Sequence, residues 1–231
     1  MKNLVIWINI QKVFLFSLIF IALFVANYSV ATYTYSPLPK FCVVLDAGHG
    51  GVDTGAVSKN GTFERDINLQ ITQKLGYMLT AMGITVIYTR TTQDALFNTF
   101  SHGHKLKDMK ARTEIIKNAN PNLVISIHLN SFTDSSAHGA QVFFKPHDEY
   151  SQELSQHIQD IFLKNIEGSR KNSMKGDFYI LNYSPSAAIL IECGFLSNPE
   201  EERLLLSSTY QEKLAYLIMC GIVSYFGLAE F

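Results

Sequence analysis

The sequence predicts a single-domain α/β protein whose mainly parallel, twisted sheet is flanked by helices on both faces. Three observations carry that expectation. Short runs of apolar and β-branched residues alternate along the chain with segments whose apolar residues recur every three or four positions, the periods of strands and helices. The strand-like runs are apolar at nearly every position, as strands covered on both sides are. Strand–helix alternation, in turn, implies parallel pairing through crossover helices.

Taken in order, Phe41–Leu45 reads as the first strand and runs into Asp46-Ala-Gly-His-Gly-Gly51, where three glycines in four positions permit tight turns. From Glu64, residues Ile67, Ile71, Leu75, Met78 and Leu79 mark a helix that Gly83 is placed to end. Ile84–Tyr88 is a β-branched strand, and Thr91 to Lys107 a long polar loop. Met109 to Ala119 reads as a helix and Leu123–Ile127 as a buried strand. Ala140–Phe144 gives another strand, and Glu149 to Ile166 a helix with Leu154, Ile158, Ile161 and Phe162 on one face. Phe178–Leu181 and Ala187–Ile191 read as short strands, and a helix carrying Leu214, Leu217, Ile218 and Ile222 follows.

Charge is unevenly placed. The 19 Lys and Arg nearly balance 20 Asp and Glu, yet no acidic residue precedes Asp46. Val13 to Ala26 is an apolar run with one serine, preceded by Lys2 and Lys12 and followed by small residues at Ser29 and Ala31. Basic flank, apolar centre and small residues are the parts of an export signal. Extended backward through Val5–Ile10, the run reaches the length of a bilayer span. Residues 1–31 are therefore expected to be a signal peptide or an N-terminal membrane anchor, 32–40 a tether with two prolines, and 41–231 the globular domain. Either way the body lies outside the cytoplasm, in the cell envelope, with a membrane contact through the N-terminal segment if it is uncleaved. A weakly acidic body gives no basic face for phosphates, which argues against nucleic acid as a partner. Cys42, Cys193 and Cys220 match no zinc or redox spacing and are expected as buried, reduced thiols, with a Cys42–Cys193 pair as the alternative.

Ligand sites in such sheets form beyond the carboxyl ends of the strands. There the sequence delivers His49 from the first strand, His128 with Asn130 and Ser131 from the third, and Glu192 from the last, while Glu64 opens the first helix. Two His and one Glu with an open fourth position make up a catalytic zinc set, which leaves the second carboxylate free as a general base. A lone strand-end His or helix-start Glu is usually structural; four such groups converging on one rim are not. His102 and His104 belong to a solvated loop, and His138, His147 and His157 receive no role.

At these residues the sequence resembles the zinc-dependent N-acetylmuramoyl-L-alanine amidases: VVLDAGHGGVDTG at 43–55, then Glu64, SIHLNS at 126–131 and IECGFLSN at 191–198, with Thr89-Arg90 and Arg112 fitting the same series. The resemblance implies one zinc ion per chain held by His49, Glu64 and His128, with Glu192 as the catalytic base. It also implies peptidoglycan as substrate, the bond cut being the amide between N-acetylmuramic acid and L-alanine. Cys193 departs from the pattern and leads to the expectation of a thiol close to the metal. Asp46 is expected either beside the metal shell or, preferably, fixing the glycine loop through its backbone amides. The connection Phe132–Gly139 is too short for a helix that could block the zinc, which points to control by location or by a regulatory protein partner. The leader and the SHGHKLKDMKAR stretch are most similar to the germination-type amidases of spore formers, which implies a role in spore cortex and muramic-δ-lactam formation. Vegetative wall turnover and a non-catalytic wall-binding module are the alternatives.

Overall fold

The structure, a computed structural model, describes residues 10–34, 41–97 and 103–228, with side chains described from Val13 to Val25 in the first stretch. Contacts divide the chain into two units, Met1–Pro39 and Lys40–Phe231. The first contains helix α1, Ile10–Thr34. Its described side chains are exposed all round, and Ser17 Oγ donates back to the Val13 carbonyl at 2.9 Å. Among the described residues no helix is long and apolar enough to cross a membrane. Because α1 continues through Thr34, the first three residues expected as tether are helical; the helix-stopping Pro37 and Pro39 come later, and 35–40 lie outside the described residues.

The second unit runs β1 Cys42–Ala47, α2 Glu64–Ala81, β2 Thr85–Tyr88, α3 His104–Ala119, β3 Leu123–Asn130, β4 Gln141–Phe144, α4 Glu149–Asn165, β5 Met174–Lys175, α5 Tyr179–Asn182, β6 Ala187–Phe195, α6 Pro199–Leu205 and α7 Ser208–Phe226. The sheet order is β2-β1-β3-β6-β4-β5. All neighbours are parallel except β4, which lies antiparallel to β6.

Alternation along the strands sorts the two faces. Val43 and Leu45, Leu123 to Leu129 at odd positions, and Ile189, Ile191 and Cys193 pack with α2, α4 and α7 in the larger core. Val44, Val124, Ala188 and Leu190 face the other way, against Ile116 of α3 and Ile180 and Leu181 of α5. Each fully buried Leu or Ile side chain contributes about 1.5–3 kcal/mol, so this two-sided burial is what fixes the strand registers. Caps set the helix starts locally: Asp148 accepts from Ser151 N ahead of α4, and Asn198 accepts from Glu200 N with Pro199 in the first turn of α6.

Four expectations are corrected. Phe178–Leu181 is no strand; its last three residues begin the helical turn α5, while the edge strand is Met174–Lys175. A four-residue apolar run carries too little periodicity to decide between the two. Cys193 lies on the core face, opposite the candidate site, because it is one residue out of phase with Glu192. All three cysteines are free, with Cys193 buried and Cys42 and Cys220 only half-buried. Finally, α3 begins at His104, so that residue heads a helix; His102 lies outside the described residues.

Candidate metal centre

On the face covered by α3 and α5, the same alternation brings Asp46, Ser126, His128 and Glu192 to one side. Asp46 is in register with Ser126, and His128 with Glu192. Both His128 and Glu192 sit inside their strands, which run further than their apolar residues suggested. The β1–α2 connection then folds over them. His49 has φ 62°, an unusual conformation for a non-glycine residue. Two glycines make room here. A Cβ at Gly48 would collide with the His128 ring, and Gly55, at φ +65°, would place one 2.5 Å from Glu64 Oε2.

Glu64 is the hub. Its Oε1 lies 3.0 Å from His128 Nδ1 and 3.3 Å from His49 Nε2. The same oxygen accepts from Leu129 N and Asn68 Nδ2, while Oε2 accepts from Ala56 N. Donor atoms of His49, Glu64 and His128 all fall within 4.8 Å of one another. Burial disfavours charge on Glu64, but the two imidazoles outweigh it and hold its carboxyl far below the usual range. Burial likewise works against a charged His49, yet Asp53 and Glu64 raise its pKa to about 9. Asp53 Oδ2 is 3.0 Å from His49 Nδ1 but is not aligned as a hydrogen bond. The residues fit a divalent cation: two imidazoles and a carboxylate share a space small enough for one ion, and Glu192 Oε2 is buried beside them without a partner. Burial raises the Glu192 carboxyl to about 7.

A cavity of about 430 Å³ opens over these groups, with Asn130, Ser131, Tyr179 and Lys105 among its lining. No residue of 132–139 lines it.

Behind the loop lies a layer that motif reading named but did not explain. Asp46 accepts from Thr89 Oγ1 at 2.6 Å, Ser126 Oγ at 2.6 Å and Arg112 Nη1 at 2.7 Å. It lines the same cavity as the candidate metal donors, but its hydrogen bonds go neither to them nor to the loop amides it was expected to fix. It anchors Arg112 instead, which donates to the carbonyls of Ala47 and His49. Arg90 donates to the carbonyls of Ala47, Gly48 and Arg65. Two adjacent acids of α6 also escaped the sequence reading. Glu201 accepts from Phe195 N and Gly139 N, fixing the chain beyond Glu192. Glu202 accepts from Ser58 Oγ at 2.6 Å, Thr62 Oγ1 at 2.7 Å and Asn60 Nδ2 at 2.8 Å, fixing the loop ahead of Glu64. Neither shows in sequence, since apart from Phe195, six residues from Glu201, the partners lie 62 to 144 residues away. Replacing Glu202 by Ala is expected to cost about 2 kcal/mol, because a buried hydroxyl loses its acceptor. Urea unfolding should show a lowered midpoint with an unchanged slope; an unchanged midpoint would mean the clasp is idle.

An open α/β sheet that gathers two imidazoles, a carboxylate and a partnerless second carboxylate offers a candidate metal site with a free acid–base group beside it. Comparison with known proteins identifies the family. The family model described as N-acetylmuramoyl-L-alanine amidase matches residues 43–224. The germination-specific N-acetylmuramoyl-L-alanine amidase of Bacillus subtilis is 34% identical, over 82% of this chain and 81% of its own length. Among solved structures, the CwlD amidase of Clostridioides difficile in complex with the GerS lipoprotein is 40% identical with a TM-score of 0.77, covering 82% of this chain and all of that one. An N-acetylmuramoyl-L-alanine amidase of Clostridium difficile 630 is 33% identical at a TM-score of 0.71, over 81% and 97% of the two chains. The chain belongs to the N-acetylmuramoyl-L-alanine amidase family, enzymes that act on peptidoglycan.

Proposed function

We propose that the amidase works with one zinc ion held by His49, Glu64 and His128, with Glu192 as its general base, on spore-cortex peptidoglycan. The observation that carries the site reading is the partnerless Glu192 Oε2 next to three converging donors. Zinc, when bound, supplies a Lewis acid for the amide carbonyl and lowers the pKa of water. Glu192 takes the proton from the attacking water and passes it to the nitrogen of L-alanine, so that the amide C–N bond breaks and a free amine leaves. His49 and His128 need a fixed orientation for this. Glu64 and the carbonyl contacts of Arg112 and Arg90 give the loop that rigidity. Asn130 and Ser131 line the cavity where the muramoyl group or peptide is to be oriented.

The cortex assignment rests on the likeness to the germination-specific relative. The likeness to an amidase in complex with the GerS lipoprotein supports a regulatory protein partner. The basic-apolar start of the chain supports export, with residues 1–31 as signal or anchor. Digestion of cortex and vegetative peptidoglycan with residues 32–231 and zinc, followed by mass spectrometry, tests the whole reading. Released peptides should begin at L-alanine and leave bare muramic acid, faster from cortex. Fragments cut within the peptide would sink the bond assignment, and equal rates the cortex assignment.

A further inference from the structure

The cavity over the metal centre is walled by acid: Asp46, Asp53, Glu64, Asp108 and Glu192 all line it. Two lasting cations oppose them, Lys105 and Arg112. Arg112 has nothing to offer a ligand. It is 1% exposed, and its nitrogens are taken by Asp46, Asp108 and the carbonyls of Ala47 and His49. Lys105 differs in every respect. Its side chain is 66% exposed, and its ion pair is with Asp53 Oδ2 at 3.5 Å, an exposed contact of the kind that contributes little and exchanges readily. The first turn of α3 holds no acidic residue to neutralise it.

We propose that Lys105 is a specificity-determining residue, binding a free carboxylate on the acidic amino acid that follows L-alanine in the stem peptide. This rests on the amidase reading of the site and deepens it. The distances suit that role. Asp53 Oδ2 lies 3.5 Å from Lys105 Nζ and 3.0 Å from His49 Nδ1. Ammonium and imidazole are therefore no further apart than those two steps together, about two extended residues of peptide. Those distances end at His49 Nδ1, while Nε2 faces Glu64, so a peptide that runs from the centre past the outer edge of the His49 ring brings a carboxylate of its second residue toward Lys105. Asp46 and Asp108 are already paired with Arg112, and His49, Glu64 and His128 are given over to the metal in the proposed reading; at Lys105 a carboxylate can replace Asp53. Specificity built on one charge-assisted contact amounts to about tenfold.

The test uses two glycan-strand substrates that differ only in the second residue of the stem peptide, one with the free carboxylate and one with it amidated. Wild-type protein loaded with zinc should prefer the free acid about tenfold in kcat/KM, and Lys105→Met should bring the ratio to about one. Lys105→Glu should invert it. Binding of both substrates to Glu192→Gln protein, by calorimetry, should show the same preference and the same collapse when Lys105→Met is added. A wild-type ratio near one, or equal losses on both substrates in Lys105→Met, overturns the proposal. Absence of cleavage with a binding preference intact would instead overturn the hydrolytic reading while leaving Lys105's role standing.

Discussion

Replacing Glu192 by Gln is expected to lower amide hydrolysis by on the order of 10²–10⁴-fold, the range a general base supplies, while leaving zinc binding at the proposed site as in wild type. The two halves separate because Glu192 is not among the three converging donors, yet it lines the same cavity and faces His128 across the β3–β6 register. Its side-chain oxygen Oε2 is buried without a hydrogen-bond partner, so an amide of the same shape removes a charge and breaks no bond. The sign of the stability effect follows. Burial lifts the Glu192 carboxyl from 4.5 to about 7. Such a group costs the folded state increasingly as pH rises from 4.5 through 7, where the unfolded chain has already released its proton. In chelated protein at pH 8, Glu192→Gln is therefore expected to melt higher than wild type, by an amount that vanishes near pH 4. Metal analysis, turnover and calorimetric melting check the three parts. Activity retained at the wild-type level would remove Glu192 from the mechanism.

Arg112→Met should be the most damaging single change away from the metal donors. It leaves Asp46, 1% exposed, and Asp108 as buried carboxylates without their cation. Breaking a buried ion pair from one side costs about 3–5 kcal/mol, which lowers the melting temperature of a domain this size by on the order of 10 °C. The loss reaches the site as well. Arg112 holds the carbonyls of Ala47 and His49, so zinc affinity should fall about 10–100-fold, as when outer partners of ligands are removed. Adding Asp46→Asn should recover part of the stability, since the double variant buries one unpaired carboxylate, Asp108, instead of two. In wild type, burial opposes the charged Asp46, but Arg112, Ser126 and Thr89 outweigh it and depress its pKa to about 2. That contribution is complete above pH 4 and is lost as pH falls toward 2. Acid unfolding of wild type and Asp46→Asn should differ in that window. Coincident acid curves would show that the pair does not stabilise the fold.

Much of the site was legible in sequence because its chemistry rests on residue types that stand out against their surroundings. His128 and Glu192 each end an apolar run, His49 sits among glycines, and Glu64 opens an amphipathic helix. What failed had physical reasons. Phe178–Leu181 was too short for its period to be read, and α5 places Ile180 and Leu181 against the sheet. Cys193 looked close to the metal because adjacent residues are close in sequence, whereas a strand sends them to opposite faces. Asp53, Glu201 and Glu202 carried no signal, since a carboxylate acquires such a role only from partners the fold brings to it.

By itself, then, the sequence determined the strand–helix alternation, the acid-free start ahead of Asp46, and the four groups at the centre, because hydrophobic period and residue chemistry are local properties. Tertiary structure alone decided that Asp46 serves Arg112, that Gly48 must lack a side chain for His128 to pack, and that Lys105 is, among the described residues, the one exposed cation lining the cavity. Those are relations between residues 52 to 80 positions apart, or questions of which face a side chain takes. They exist only once two-sided burial has fixed the sheet register.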